Sequence, residues 1–83
     1  TSKTAVLCGR NTVQIRPPYK DEMNFEQYKE LLEGRVNDLN INLYLLSFSV
    51  EDKRLVAFKD GRVLVHGTKD ISEAKTIYHR YFG

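Results

Sequence analysis

The chain has little of several things that would narrow its chemistry at once. It has one cysteine, Cys8, one methionine and no tryptophan in 83 residues. A single cysteine cannot close an intramolecular disulfide, which excludes a disulfide-stapled scaffold and makes a reducing, cytoplasmic setting the natural expectation. No CxxC pair or similar ligand spacing links Cys8 with His66 or His79, so no zinc motif is present. No apolar run approaches the ~18 residues needed to cross a bilayer, and no signal peptide is visible. Charge of one sign is missing too, since 13 basic residues against 11 acidic ones give a net +2 with the signs interspersed. Nucleic acid asks for a basic stripe, so neither nucleic acid nor membrane is expected as a partner.

What remains is ordinary globular material, with 41% hydrophobic and 29% charged residues. A chain of this length makes one domain and buries only ~60–65% of its unfolded surface, hence a single modest core. It starts at Thr1 and not at methionine, as a domain cut from a longer protein would.

Periodicity predicts the elements. Thr12 to Arg16 alternates, with Val13 and Ile15 on one side, and reads as a half-buried strand that Pro17-Pro18 ends. Asn24 followed by Gln27 resembles a capping box, and Met23 can staple onto Tyr28. Phe25, Tyr28, Leu31, Leu32 and Val36 then share a helix face, which Gly34 closes with a left-handed residue. Asn37-Asp38-Leu39-Asn40 reads as a loop. Asn42 to Val50, Arg54 to Lys59 and Arg62 to His66 are strand candidates.

Between the last two strands, Asp60-Gly61 signals a two-residue type I′ turn, which would pair Phe58 with Val63 and Val56 with Val65. An odd loop over Glu51-Asp52-Lys53 would set Tyr44, Leu46 and Phe48 on the same face as Val56, Phe58, Val63 and Val65. A second helix opens at Asp70, with Ala74, Ile77, Tyr78 and Tyr81 along its apolar face and Ile71 and Phe82 at its edges. The expected fold is α+β: strand, helix, three-stranded antiparallel meander, helix, with both helices on one face of a small sheet.

Candidate chemistry is sparse. Cys8 has a possible activating cation in Arg10, because nearby positive charge lowers a thiol's pKa. A nucleophile also needs a base and an orienting group, and nothing in the sequence places His66 or His79 beside Cys8, so a structural thiol is the better reading. Gly9-Arg10-Asn11 opens a strand, whereas a phosphate loop is richer in glycine and opens a helix. Aromatic residues, Tyr19 and Phe58 among them, could stack bases, yet most sit at core periodicity. Lys53, Arg54, Lys59 and Arg62 fall at opposite hairpin ends, ~15–17 Å apart by strand rise, so they make no continuous track. Arg10, Gln14 and Arg16 around the first strand are candidates for contact with a partner.

Two segments carry a resemblance that composition does not. Leu7-Cys8-Gly9-Arg10-Asn11-Thr12-Val13-Gln14-Ile15-Arg16-Pro17 lies near the start. Phe58-Lys59-Asp60-Gly61-Arg62-Val63-Leu64-Val65-His66-Gly67-Thr68 leads into the last helix, which ends Tyr78-His79-Arg80-Tyr81-Phe82-Gly83. With Asn42-Leu43-Tyr44-Leu45-Leu46 as a central strand, the chain resembles the C-terminal extension of the ThiF/MoeB/HesA adenylyltransferases. The resemblance implies that residues 1–83 are a single accessory domain of a longer enzyme. That enzyme would use ATP and magnesium, with zinc in many members, to adenylate a ubiquitin-like sulfur carrier such as ThiS or MoaD for thiamin or molybdopterin synthesis. The resemblance places the adenylating machinery upstream, so no cofactor is expected on these residues. By family analogy the appended domain would be a non-catalytic docking module for the carrier or for the parent's own adenylating domain. The alternative is a thiol-active domain in which Cys8 takes part in sulfur transfer.

Overall fold

The computed structural model describes residues 3–6, 11–16 and 23–82. Along the chain these form β1 (Lys3–Val6), β2 (Thr12–Arg16), α1 (Phe25–Leu32), β3 (Asn37–Ile41), β4 (Leu45–Val50), β5 (Lys53–Phe58), β6 (Val63–His66) and α2 (Ile71–Phe82). The strands make one sheet in the order β1-β2-β6-β5-β4-β3, with every neighbouring pair antiparallel. The expected α+β arrangement of meander and two helices is present. Two strands join it that the sequence pattern did not announce.

One is β1, which pairs with β2. The other is β3, which corrects the loop expected at Asn37 to Asn40. Its polar residues resemble a turn because this is an edge strand, with Asn37, Asp38 and Asn40 exposed. A break in register between Asn37 and Asn40 takes Asp38 to φ +53. Such irregular, polar edges discourage pairing with another chain. Leu39 and Ile41 still pack against the core. The strand expected over Asn42 to Val50 is therefore shorter: β3 ends at Ile41, and a turn precedes β4.

Both helices are capped as their sequences suggest. Asn24 Oδ1 accepts from Gln27 N at 3.2 Å, and Asp70 Oδ1 accepts from Ser72 N at 2.9 Å and Glu73 N at 3.2 Å. After α1, Glu33 (φ −59, ψ 125) and Gly34 (φ +86) form a type II turn closed by Arg35 N to Leu32 O at 2.9 Å. Phe25 and Leu32 from α1 share one core with Ala74, Ile77 and Phe82 from α2 and with the inward strand residues. Phe82, expected at the edge of the helix face, is buried in that core, its ring 5.3 Å from Tyr28, 5.6 Å from Phe48 and 5.8 Å from Tyr78. Leu31, expected on the buried face, is 53% exposed.

The turns correct the expected register. Val50 pairs with Lys53, leaving Glu51 (φ +52) and Asp52 (φ +63) as a two-residue loop of the type I′ kind. The odd loop is instead at β5–β6. There Ala57 pairs with Val63, Gly61 N donates to Phe58 O at 2.9 Å, and Phe58 N donates to Arg62 O at 2.8 Å. Lys59, Asp60 and Gly61 (φ +96) form this three-residue loop, a turn followed by a left-handed glycine bulge. Each loop differs by one residue from expectation and the two differences cancel beyond β5. Leu46, Phe48, Val63 and Val65 point inward as expected, but β5 is inverted: Leu55 and Ala57 are buried, while Val56 and Phe58 face outward.

Candidate interaction surface

Strand alternation gives the sheet a second face, opposite the helices. In register, Gln14, Leu64, Val56 and Ser47 lie side by side across β2, β6, β5 and β4. Thr12, His66, Arg54 and Ser49 form the adjacent row. On the other side Leu45 faces Phe58, and Arg16, next after the Ile15 that pairs with Val63, lies near enough to the β5–β6 loop for its charge to act on Asp60. Leu45, Val56, Phe58 and Leu64 are only half-buried. This face is thus apolar in the middle and polar at both ends.

At one end Thr12 Oγ1 lies 2.9 Å from His66 Nδ1, and Arg54 Nη2 donates to Ser47 Oγ at 3.2 Å. At the other, the Arg62 guanidinium sits 4.6 Å from the Phe58 ring centroid and donates from Nε to Asp60 Oδ2 at 2.9 Å. The Arg62 backbone N–H holds the Asp60 carboxyl below its usual range, helped by the positive charges of Arg62 and Arg16. Outward positions of β2, β4, β5 and β6 carry Arg16, Arg54 and His66 and no carboxylate.

Beside Leu45 the β3–β4 turn projects two bare apolar side chains, Leu43 at 80% and Tyr44 at 75% exposure. The turn is held by its own hydrogen bonds: Asn42 Oδ1 accepts from Tyr44 N at 2.7 Å and Leu45 N at 2.9 Å, and Asn42 N donates to Leu45 O at 2.9 Å. An Asn side chain that bonds two residues ahead stiffens such a loop. Sequence reasoning missed this feature by running a strand through it; Asn42 was the available signal.

Of the residues singled out in the sequence, Gln14 and Arg16 stand on the outer side of β2. Cys8 and Arg10 lie outside the described residues. His66 faces outward against Thr12, whereas His79 is exposed on α2 with its ring 5.2 Å from Tyr78. The two histidines are therefore not brought together. Between α1 and β3 runs an open groove of about 430 Å³ lined by Glu26, Lys29, Glu33, Leu39, Asn40 and Ile41. Among the described residues there is no group of three or more His, Cys, Asp or Glu side chains able to hold a metal ion. Nor is any described helix long and apolar enough to cross a membrane.

Fold and surface together define a small α+β domain with helices on one side of its sheet and an open, basic-edged apolar face on the other. The chain is similar to the sulfur carrier protein ThiS adenylyltransferase of Bacillus subtilis (strain 168), at 46% identity over 82 residues and 99% of this chain. The matched stretch is 24% of that protein, in its C-terminal part, so the chain spans about a quarter of the relative's length. No protein-family model matches the chain, and no solved structure matches it.

Proposed function

We propose that residues 1–83 are the C-terminal accessory domain of a ThiF/MoeB/HesA-type adenylyltransferase and act as a non-catalytic docking module for its sulfur-carrier protein. The match along nearly the whole chain to part of a ThiS adenylyltransferase carries this reading. It favours a ThiS-like over a MoaD-like carrier, and so thiamin over molybdopterin synthesis. Gly34, Gly61 and Gly67 each occupy a turn, and no glycine-rich loop opens a helix among the described residues. On the family resemblance, ATP, magnesium and any zinc are assigned to the adenylating part of the parent enzyme, and no step through them is assigned to this domain.

Calorimetric titration tests the reading. A purified ThiS-type carrier is expected to bind the chain, and Mg-ATP to give no heat of binding. Micromolar Mg-ATP binding would overturn the non-catalytic assignment. Alkylation of Cys8 by iodoacetamide across about pH 5–9 tests the same point from the thiol side. The expected rate is slow and rises through pH 8–9; a rate already saturated below pH 7 would replace docking by sulfur transfer through Cys8.

A further inference from the structure

Most apolar side chains among the described residues are buried or half-covered, and of the few large ones that are not, Leu43 and Tyr44 are far more exposed than Leu31 and Ile71. Two neighbouring large apolar residues at 80% and 75% exposure are a liability in a free monomer unless something covers them in use. Their setting suits binding. The Asn42 side chain fixes the turn before any partner arrives, so little backbone freedom remains to be lost on association. Tyrosine is among the residues that most often dominate an interface when it enters a pocket. The tip also joins the half-buried Leu45 and Phe58, extending the apolar area onto the sheet.

Charge says what kind of partner fits. The open face carries Arg16 and Arg54 as exposed cations and no carboxylate on its central strands. On the helical side, α1 alone bears Glu26 and Glu30, with Glu33 just beyond it. A second copy of the chain is a poor occupant, because a twofold contact through this face would set its arginines against their own kind. A protein with an apolar centre and acidic rim fits instead.

We propose that the Leu43-Tyr44 tip and the adjoining Leu45 and Phe58 form the anchor that holds the sulfur carrier, gripping an apolar patch on it whose acidic rim meets Arg16 and Arg54. This rests on the docking function proposed above and names the surface that performs it. The tip supplies residence time and the arginines steer encounter, so the two parts respond to different perturbations.

The test titrates a purified ThiS-type carrier into the 83-residue chain at low and high salt. Three proteins are compared: the unaltered chain, a Leu43→Ser/Tyr44→Ser variant and an Arg16→Glu/Arg54→Glu variant. The tip variant is expected to melt like the parent, since both side chains are already in solvent, and to weaken Kd by roughly thirtyfold or more. The charge variant should associate more slowly and lose most of the salt dependence. If the carrier binds and the tip variant binds equally well, this surface is wrong while the docking function stands. If the carrier does not bind the unaltered chain, both fall. Sedimentation that shows a dimer abolished by the tip substitutions would make the occupant a second copy and overturn the proposal.

Discussion

The two faces of the sheet are made by alternate residues of the same strands, and they have become different materials. On the inner face Val13, Ile15, Leu46, Phe48, Leu55, Ala57, Val63 and Val65 are all fully buried beneath the helices. On the outer face Leu45, Val56, Phe58 and Leu64 keep partial exposure, and arginine, histidine and hydroxyl side chains flank them. The difference teaches that apolar character does not by itself assign a strand residue to a core. Val56 and Phe58 are bulkier than Ala57 but point outward, because Ala57 lies in the Leu46–Ala57–Val63 row beneath the helices, where space is already filled by neighbours. The inner face carries stability, and the outer face is free to carry recognition.

The sharpest way to break this contrast is to empty the inner face. Phe48→Ala removes a fully buried ring that meets Phe82 at 5.6 Å and Tyr81 at 5.7 Å, and is expected to destabilise by ~3–5 kcal/mol in a denaturant titration. Gly67→Ala tests the junction of β6 with the β4–β5 turn and ranks next. Its φ is +105, and an added Cβ would come within 2.9 Å of Lys53 Cδ and 3.3 Å of the Asp52 carbonyl oxygen. A loss of ~1–3 kcal/mol is expected. Gly61→Val, at φ +96 in the β5–β6 loop, should lose ~1–2 kcal/mol or more for backbone strain at a β-branched residue. An equal melting temperature for Gly61→Val and the parent would contradict the bulged-loop assignment. On the outer face, Val56→Thr keeps β-propensity and shape and should change stability by no more than about 0.5 kcal/mol. A loss there as large as for Phe48→Ala would erase the distinction between the faces.

The smallest expected effect is electrostatic. Arg80 hydrogen-bonds the Glu51 carboxylate, Tyr81 Oη donates to Glu51 Oε2 at 3.2 Å, and the Arg80 bond is the chief reason the carboxyl lies below its usual range. This pair ties the positive-φ turn to the end of α2. A carboxyl pKa depressed on folding adds stability above the unfolded value of ordinary glutamate, and that stability is lost as pH falls through the folded value. Melting temperature should therefore decline as pH drops from about 5 towards 3, and Glu51→Gln should flatten part of that decline. Both partners are largely in water, so the effect is small.

Much of this fold was legible locally. Asn24 and Asp70 announce helix starts, and their side chains do cap them. Gly34 and Gly61 announce turns, and both take positive φ. The candidate surface was only half legible: Gln14 and Arg16 follow from alternation along β2, whereas the Leu43-Tyr44 tip and the outward Phe58 do not. The apolar run from Leu43 to Leu46 does not itself mark where the strand begins; the signal is Asn42 just before it, whose side chain bonds Tyr44 and Leu45.

Sequence chemistry alone thus settles where helices begin, which residues can turn the chain and that β-strands precede the last helix, because caps, φ preferences and alternation act within a few residues. Loop length and strand face were settled elsewhere. Glu51 is not a residue that seeks positive φ, yet it adopts it together with Asp52 where Arg80 and Tyr81 reach across from α2 to bond Glu51. Asp60, in the loop that local preference favoured for such a turn, does not. One residue moved from one loop to the other inverts β5 and leaves its neighbours in place, and the helices packed on Leu55 and Ala57 select between those two registers. That selection is a contest between whole faces over which is buried, and it exists only once distant strands and helices have met.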